Sequence, residues 1–478
     1  MKKKIIWKFI ALACMGAMLA GCGSASTPTE ESAQEESSAD GKESAEEPGK
    51  EEVSKQEEPA EEVSEQEAET ASEERVEHVA QKTEDADPMQ LKTAYERAAY
   101  FADWVYLNQK GNTLVSPLSL NLALGLAAEG ASGETAKELA QYFGKEDYSS
   151  YVDEYMKFAE SLTVENDPQE TITDEETGLE TFKTRIGGSG YSFRYEIANS
   201  LWINDKERLQ ENYRNNVEKL FRAKVAPADF TDNPSKTVDI INDWCNEKTH
   251  GLIPSIITTR DVDPQLMAIL INSLYFESPW VDKWGLREHA FTDFSGKETT
   301  QEMLIGKGDA YFENDQAIAF SKAYYNGFRF IGILPKEEGE FSVLNLDLES
   351  LLNSETNEYI VTALMPKLNF DTTAANLQVL LESEGITTPF DSNTAQFDKI
   401  IEGEELHISR ILQKCKIELD ENGTKAAAVT AMMMRANSAF IEKEQERKEV
   451  YLDRPFAFLI YDSVNDEIVF VGKVTEVK

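Results

Sequence analysis

The sequence predicts a mixed α+β fold, with helices and strands interspersed and no regular strand–helix–strand rhythm. Three observations carry that prediction. Ser116-Pro117 is a serine N-cap with proline in the first turn, and it opens an apolar helix through Ala128. Residues 265–276 form a long, almost uncharged run, which reads as a central strand buried on both faces. Further strand texture recurs toward the C-terminus, at 329–334, 359–364, 406–419, 451–461 and 467–474.

The remaining elements follow in chain order. Leu91, Tyr95, Ala98, Ala102 and Val105 fall at helical spacing, so the body opens with an amphipathic helix. Ser132 is placed to cap a helix with Glu134 and Thr135 in its first turn. Residues 164–190 are polar and contain Gly187-Gly188-Ser189-Gly190, which predicts a surface loop or insertion. Strand texture at 196–203 precedes a helix at 212–221. A further helix is opened by Pro234 and carries Val238, Ile241, Trp244 and Cys245.

The chain has 478 residues, with 88 acidic against 47 basic side chains and a net charge of −41. Residues 1–22 carry +4, residues 23–90 carry −18, and residues 91–478 carry −27. A sequence pI near 4.5 excludes the cationic surface that a nucleic-acid binder needs. Four cysteines exclude a disulfide-dense scaffold.

Lys2, Lys3, Lys4 and Lys8 precede an apolar stretch at 5–19 that is short for a membrane span. It ends in Leu19-Ala20-Gly21-Cys22, which resembles the lipobox of bacterial lipoproteins. The resemblance implies a signal peptide over 1–22, lipidation of Cys22 and a place on the outer, extracytoplasmic face of a bacterial membrane. Residues 23–88 are Glu/Ser/Ala-rich, and from 23 to 90 there is no Phe, Trp, Tyr, Leu, Ile or Cys. They read as a disordered acidic tether. Residues 89–478 hold the folded domain.

No enzyme constellation is present. The four histidines, His78, His250, His289 and His407, are scattered, and no G-x-S-x-G, H-E-x-x-H, C-x-x-C or P-loop occurs. Cys245 and Cys415 read as small buried hydrophobes, and neither a metal nor a cofactor is implied.

The informative stretch is 416–437, which runs from a strand through Glu421-Asn422-Gly423-Thr424 into an alanine-rich segment. Asn422-Gly423 can be a hairpin turn, and 426–431 a short helix. As a strand, the even positions are Thr424, Ala426, Ala428, Thr430, Met432, Met434 and Ala436, all uncharged and mostly small. Lys425 and Arg435 fall on the odd face. That separation suits a segment able to slide between two existing strands, with Gly423 as hinge.

These residues resemble the reactive-loop hinge of a serpin, and the resemblance extends over the body from about residue 90. Asn112-Thr-Leu-Val-Ser116-Pro117-Leu-Ser119 is similar to the family's opening of a buried helix. Ala198-Asn199-Ser-Leu201-Trp202 resembles a strand of its main sheet, and Ile241-Asn242-Asp-Trp244 the helix crossing that sheet. Leu270-Ile-Asn272-Ser-Leu-Tyr275-Phe276-Glu-Ser-Pro-Trp280, Met365-Pro366-Lys367, Arg454-Pro455-Phe456 and Phe470-Val-Gly472-Lys473-Val474 continue the match.

The resemblance implies a serpin fold with three β-sheets, eight or nine helices and an exposed reactive loop. It implies no catalytic residue. A monomeric inhibitor is cleaved by a serine protease, or a cysteine protease, which is trapped as the acyl-enzyme when the loop inserts into the main sheet. The hinge would comprise Glu421, Gly423, Thr424, Ala426, Ala427 and Ala428, with Trp280 at the breach where the sheet begins to open. Fourteen residues on from Gly423, the reactive bond falls at Asn437–Ser438. The interval from Gly423 to Pro455 is longer than usual for the family, which leaves Arg435–Ala436 and Met434–Arg435 as alternatives. Gln413 stands where many members have a buried histidine, within hydrogen-bonding reach of Ser116, Ser119 and Asn199. Ordinary capping and core satisfaction explain those four residues equally well. A non-inhibitory serpin acting as a binding module is the alternative reading, and the clean hinge argues against it.

Overall fold

The computed structural model describes residues 93–144, 170–173, 180–183, 194–204, 209–221, 223–262, 264–324, 327–401, 406–424 and 445–477. The segments 1–22 and 23–88, read above as signal and tether, lie outside them.

The described chain begins with helix α1 (Ala94–Gln109), strand β1 (Thr113–Val115) and helices α2 (Pro117–Gly130) and α3 (Gly133–Tyr142). Strands β2 (Glu170–Thr173), β3 (Glu180–Lys183) and β4 (Arg194–Ile203) precede α4 (Glu211–Phe221), β5 (Lys224–Pro227) and α5 (Pro234–Lys248). Six strands follow: β6 (Ala268–Pro279), β7 (Gly285–Thr292), β8 (Glu298–Gly308), β9 (Ala310–Glu313), β10 (Ala317–Ala323) and β11 (Phe328–Pro335). Short helices α6 (Leu348–Asn353) and α7 (Leu377–Ser383) flank β12 (Ile360–Pro366) and β13 (Leu368–Ala374). The chain closes with β14 (Arg410–Leu419), β15 (Gly423–Thr424), β16 (Arg447–Tyr451), β17 (Phe456–Asp462) and β18 (Glu467–Val474).

Local chemistry fixes the helix starts. Thr93 and Glu96 form a capping box at α1, each accepting the other's backbone N–H, at 3.1 and 3.0 Å. Ser116 caps α2 by accepting from Ser119 N at 3.2 Å, with Pro117 in the first turn. Ser132 is the N-cap residue of α3, but its hydroxyl turns to Asp398. The free N–H of Glu134 is taken instead by Gln396 Oε1 at 2.8 Å. A cap lent from 262 residues away leaves no mark in the local sequence.

Three sheets organise the domain. The main sheet has the order β13-β14-β15-β6-β4-β5, the second β1-β18-β17-β11-β10-β9, and the third β16-β12-β8-β7. With seven α-helices among the described residues, the fold is mixed α+β. β6 is the uncharged run expected as a central strand, and its two faces meet different partners. Ile269, Ile271 and Tyr275 pack with Trp244 and Cys245 of α5 in an outer cluster. Leu270, Leu274 and Phe276 face the main core with Ile411, Cys415 and Ile417 of β14. This two-sided burial explains why a charge is tolerated nowhere along its centre.

Several elements depart from the sequence reading. The expected strand at 451–461 is two strands, because Pro455 cannot continue a ladder and the chain changes sheets there. β16 joins the third sheet and β17 the second, with Leu452 N bonded to Leu364 O and Thr292 N to Asp453 O, both at 2.8 Å. The strand expected from residue 406 starts at Arg410, since Ile408 N is drawn to Pro389 O at 3.0 Å. Within the expected loop at 164–190, β2 and β3 pair antiparallel, using the β-branched run Thr171-Ile172-Thr173.

Candidate functional site

The site is a strand position in the main sheet between β14 and β6, which β15 occupies at one end among the described residues. β14 and β6 pair directly and in parallel from Arg410↔Ile269 to Lys414↔Ser273. At the opposite end, β15 sits between them, antiparallel to both, with Thr424 paired to Leu419 and to Ser278. The two strands therefore diverge above Lys414, and Gly423 and Thr424 fill the mouth of the gap.

A tight turn delivers β15 to that position. Asp420 N donates to Gly423 O at 3.0 Å, and Asp420 Oδ1 accepts from Asn422 N at 2.7 Å and Gly423 N at 3.3 Å. Asn422-Gly423 thus forms the hairpin turn between β14 and β15. The turn is gripped by the segment after β6: Trp280 N donates to Asn422 O at 3.0 Å, Trp284 N to Glu421 O at 3.3 Å, and Trp280 Nε1 to Asp420 O at 2.9 Å. Lys283 Nζ adds a bond to Asn422 Oδ1 at 3.1 Å. Lys367 links Glu421 at 3.1 Å and Glu302 at 2.9 Å. Its own backbone N–H and then Lys367 hold the Glu421 carboxyl below its ordinary range, while Glu302 foremost raises Lys367.

Thr424 is buried, and its Oγ1 lies 2.6 Å from Tyr324 OH. Tyr324 stacks on Trp280, centroids 4.1 Å apart at 14°, and meets Phe276 edge-on at 5.2 Å. Burial drives the Tyr324 phenol well above its usual range, so it is a neutral hydroxyl. Because Tyr324 belongs to the main core, Thr424 points inward, toward the second sheet.

Beneath the directly paired stretch lies a buried polar network. Gln413 Oε1 accepts from Ser116 N and its Nε2 donates to Ser116 O, both at 2.8 Å. The same Nε2 lies 2.5 Å from Asn272 Oδ1. Asn272 Nδ2 in turn donates to Ser119 O, to Ser119 Oγ at 2.7 Å and to Asn199 Oδ1 at 2.8 Å. Gln413 therefore reaches Ser116 through its backbone, and reaches Ser119 and Asn199 only through Asn272. The sequence reading missed Asn272 as a member because it sits inside the hydrophobic run of β6. It is also the ladder partner of Gln413, so its amide spans the seam between the two strands.

Cys245 and Cys415 are buried and free, and burial raises the Cys245 thiol to about 11 and the Cys415 thiol further. Among the described residues, no group of three His, Cys, Asp or Glu side chains could hold a metal. Cys22, Ala426, Ala427, Ala428, Met434, Arg435, Ala436, Asn437 and Ser438 lie outside the described residues.

Three sheets, seven described α-helices and a short strand β15 lodged between β14 and β6 at one end of the main sheet are the features to compare with known proteins. Residues 99–477 match the family described as Serpin (serine protease inhibitor), and the chain belongs to the serpin family. A serpin-like protein of Methanosarcina acetivorans is 27% identical over 403 residues, covering 82% of this chain and 87% of the relative. A serpin-like protein of Thermococcus kodakarensis is 29% identical over 377 residues, covering 77% and 81%. Among solved structures, the native state of the thermophilic serpin tengpin aligns with a TM-score of 0.64 at 27% identity, over 80% of this chain and 93% of that one. Serpins are in general inhibitors of proteases rather than catalysts, although some members do not inhibit.

Proposed function

We propose that the protein is a suicide-substrate inhibitor of serine proteases, with cysteine proteases as a second target class. The protease cleaves the loop between Thr424 and β16, remains esterified to it, and is trapped as the freed strand enters the main sheet. The observation that carries this reading is the arrangement of β14, β15 and β6: direct pairing below, divergence above, and Thr424 seated at the mouth. The inhibitor contributes no catalytic group. Its free energy comes from a sheet that gains a strand on cleavage.

The reactive bond is proposed at Asn437–Ser438, with Arg435–Ala436 and Met434–Arg435 as alternatives. The protein acts as a monomer on the outer face of a bacterial membrane. It is anchored by lipid on Cys22 and held off by an acidic tether of about 65 residues, whose r.m.s. span is roughly 45 Å before charge repulsion extends it. The deciding experiment mixes the protein with trypsin-, elastase-, subtilisin- and legumain-like proteases. An SDS-stable complex, with the mass of the released C-terminal peptide, reports both trapping and the bond cut. Absence of a complex with every protease, together with no heat stabilisation of the cleaved protein, favours a non-inhibitory binding module.

A further inference from the structure

We propose that Tyr324 is a positioning residue for loop insertion, whose hydroxyl holds Thr424 in the mouth of the main sheet so that insertion starts from a seated first residue. This rests on the inhibitory reading above. Three features of the site lead to it. The Tyr324 ring is set by Trp280 stacked at 4.1 Å and Phe276 edge-on at 5.2 Å, so its place is fixed without help from the loop. Its hydroxyl lies 2.6 Å from Thr424 Oγ1, and both residues are buried at 2–3% exposure. Thr424 is also the C-terminal residue of β15, paired on both sides, and the first residue that the inhibitory reading requires the sheet to hold.

A hydrogen bond between two buried hydroxyls has an asymmetric logic. Removing one partner leaves the other buried and unsatisfied, which is costly, whereas removing both is close to neutral. An unsatisfied Thr424 or Tyr324 hydroxyl favours withdrawal of Thr424 to water. The cleaved loop then starts from outside the sheet and inserts later. Deacylation by the protease wins more often, and the inhibitor is consumed as an ordinary substrate. The bond therefore governs the partition between trapping and turnover, while the protease's first attack on the loop is untouched.

The test compares wild type, Tyr324→Phe, Thr424→Val and the double variant, using whichever protease of the panel forms an SDS-stable complex. The readouts are inhibitor consumed per protease trapped, the rate of loop cleavage and the unfolding temperature of the native form. Each single variant is expected to raise inhibitor consumption about threefold or more at an unchanged cleavage rate, and the double variant to return to within about twofold of wild type. Single variants that partition like wild type overturn the proposal, even if their native unfolding temperature falls, since that pattern is a merely structural role. A double variant as poor as the two single effects multiplied overturns it as well. If wild type neither traps nor gains heat stability on cleavage, the inhibitory reading fails and this inference falls with it. Trapping by wild type alongside unaltered single variants removes this inference alone.

Discussion

Replacing Gln413 by Leu tests whether the buried network holds the main sheet closed. The substitution keeps an apolar side chain of similar reach and removes three strong bonds, to Ser116 N, to Ser116 O and to Asn272 Oδ1, together with a weak one from the Cys415 thiol at 3.5 Å. Ser116 O keeps a partner, because Leu120 N donates to it at 3.1 Å as the first bond of α2. Two buried groups are left stranded, Ser116 N–H and Asn272 Oδ1. At about 1–3 kcal/mol for each unsatisfied group, less about 1 kcal/mol for the better burial of leucine, the native state loses about 1–5 kcal/mol. In a domain this large, about 1–2 °C is lost per kcal/mol, so the unfolding temperature should drop by about 1–10 °C. On the proposed mechanism the loop-cleaved form should lose less, because an inserted strand would separate Gln413 from Asn272 and that bond would not be there to be broken. The assay is thermal unfolding by circular dichroism of native and cleaved protein side by side. A native transition within 1 °C of wild type, or an equal loss in both forms, would refute the assignment of this amide as a lock on the seam.

Three further outcomes are expected. Thr424→Arg should still be cleaved but should no longer trap, since the seat of Thr424 between β14 and β6 is buried and a guanidinium held there would cost several kcal/mol; an undiminished SDS-stable complex contradicts this. Burial raises the Glu384 carboxyl to about 7, with Arg97 opposing the shift, so the native state holds a proton that the unfolded chain releases between about pH 4.5 and 7. Stability should therefore decline as pH rises through that window. Glu384→Gln should stabilise the protein by about 1–2 kcal/mol at pH 8 and scarcely at pH 4, measured by urea midpoints; equal effects at both pH values would exclude the carboxyl as the cause. Neither Cys245 nor Cys415 should react with a thiol reagent in the native state, because both are fully covered and their thiols are pushed up. Rapid labelling of Cys415 under native conditions would mean that the sheet opens far more readily than the Gln413 network allows.

Much of the fold was legible because its central elements carry strong local signals. The absence of charge along 265–276 follows from burial on both faces of β6, and the apolar run at 467–474 matches β18 to the residue. Gly472 belongs to the same logic: the Phe458 ring occupies the space where a Cβ would stand, and the ring itself stacks on Phe330 at 5.3 Å. Strands β7 and β8 were not read from the sequence, because much of their length is exposed, β7 on both faces over its first four residues. Arg287, Glu288, Glu298 and Glu302 break any continuous apolar run there. At the site, Gly423, Thr424, Trp280 and Gln413 were found through the hinge and the family motifs. Tyr324 was not, since its partner lies 100 residues away and its neighbours show no periodicity. The same holds for Asn272, whose polar amide is concealed by the hydrophobic strand that carries it.

The inward orientation of Thr424 gives the even–odd alternation of the loop a register. Continuing the ladder antiparallel from Thr424, paired to Ser278 and Leu419, would set Ala426 between Phe276 and Ile417, and Ala428 between Leu274 and Cys415. Both alanines would meet large or closely packed apolar neighbours that leave room for little more than a methyl group. Thr430 would arrive between Asn272 and Gln413, where the strand must break their 2.5 Å contact and where a hydroxyl can take up the Asn272 amide so freed. Small residues would therefore fall at the crowded positions and a hydroxyl at the polar one. Composition alone does not demand that order, whereas a strand evolved to enter this gap does. The parity fixed by one buried threonine would thus tie the uncharged even face to the sheet that would receive it, and would leave Lys425 and Arg435 on the outward face where their charge need not be buried.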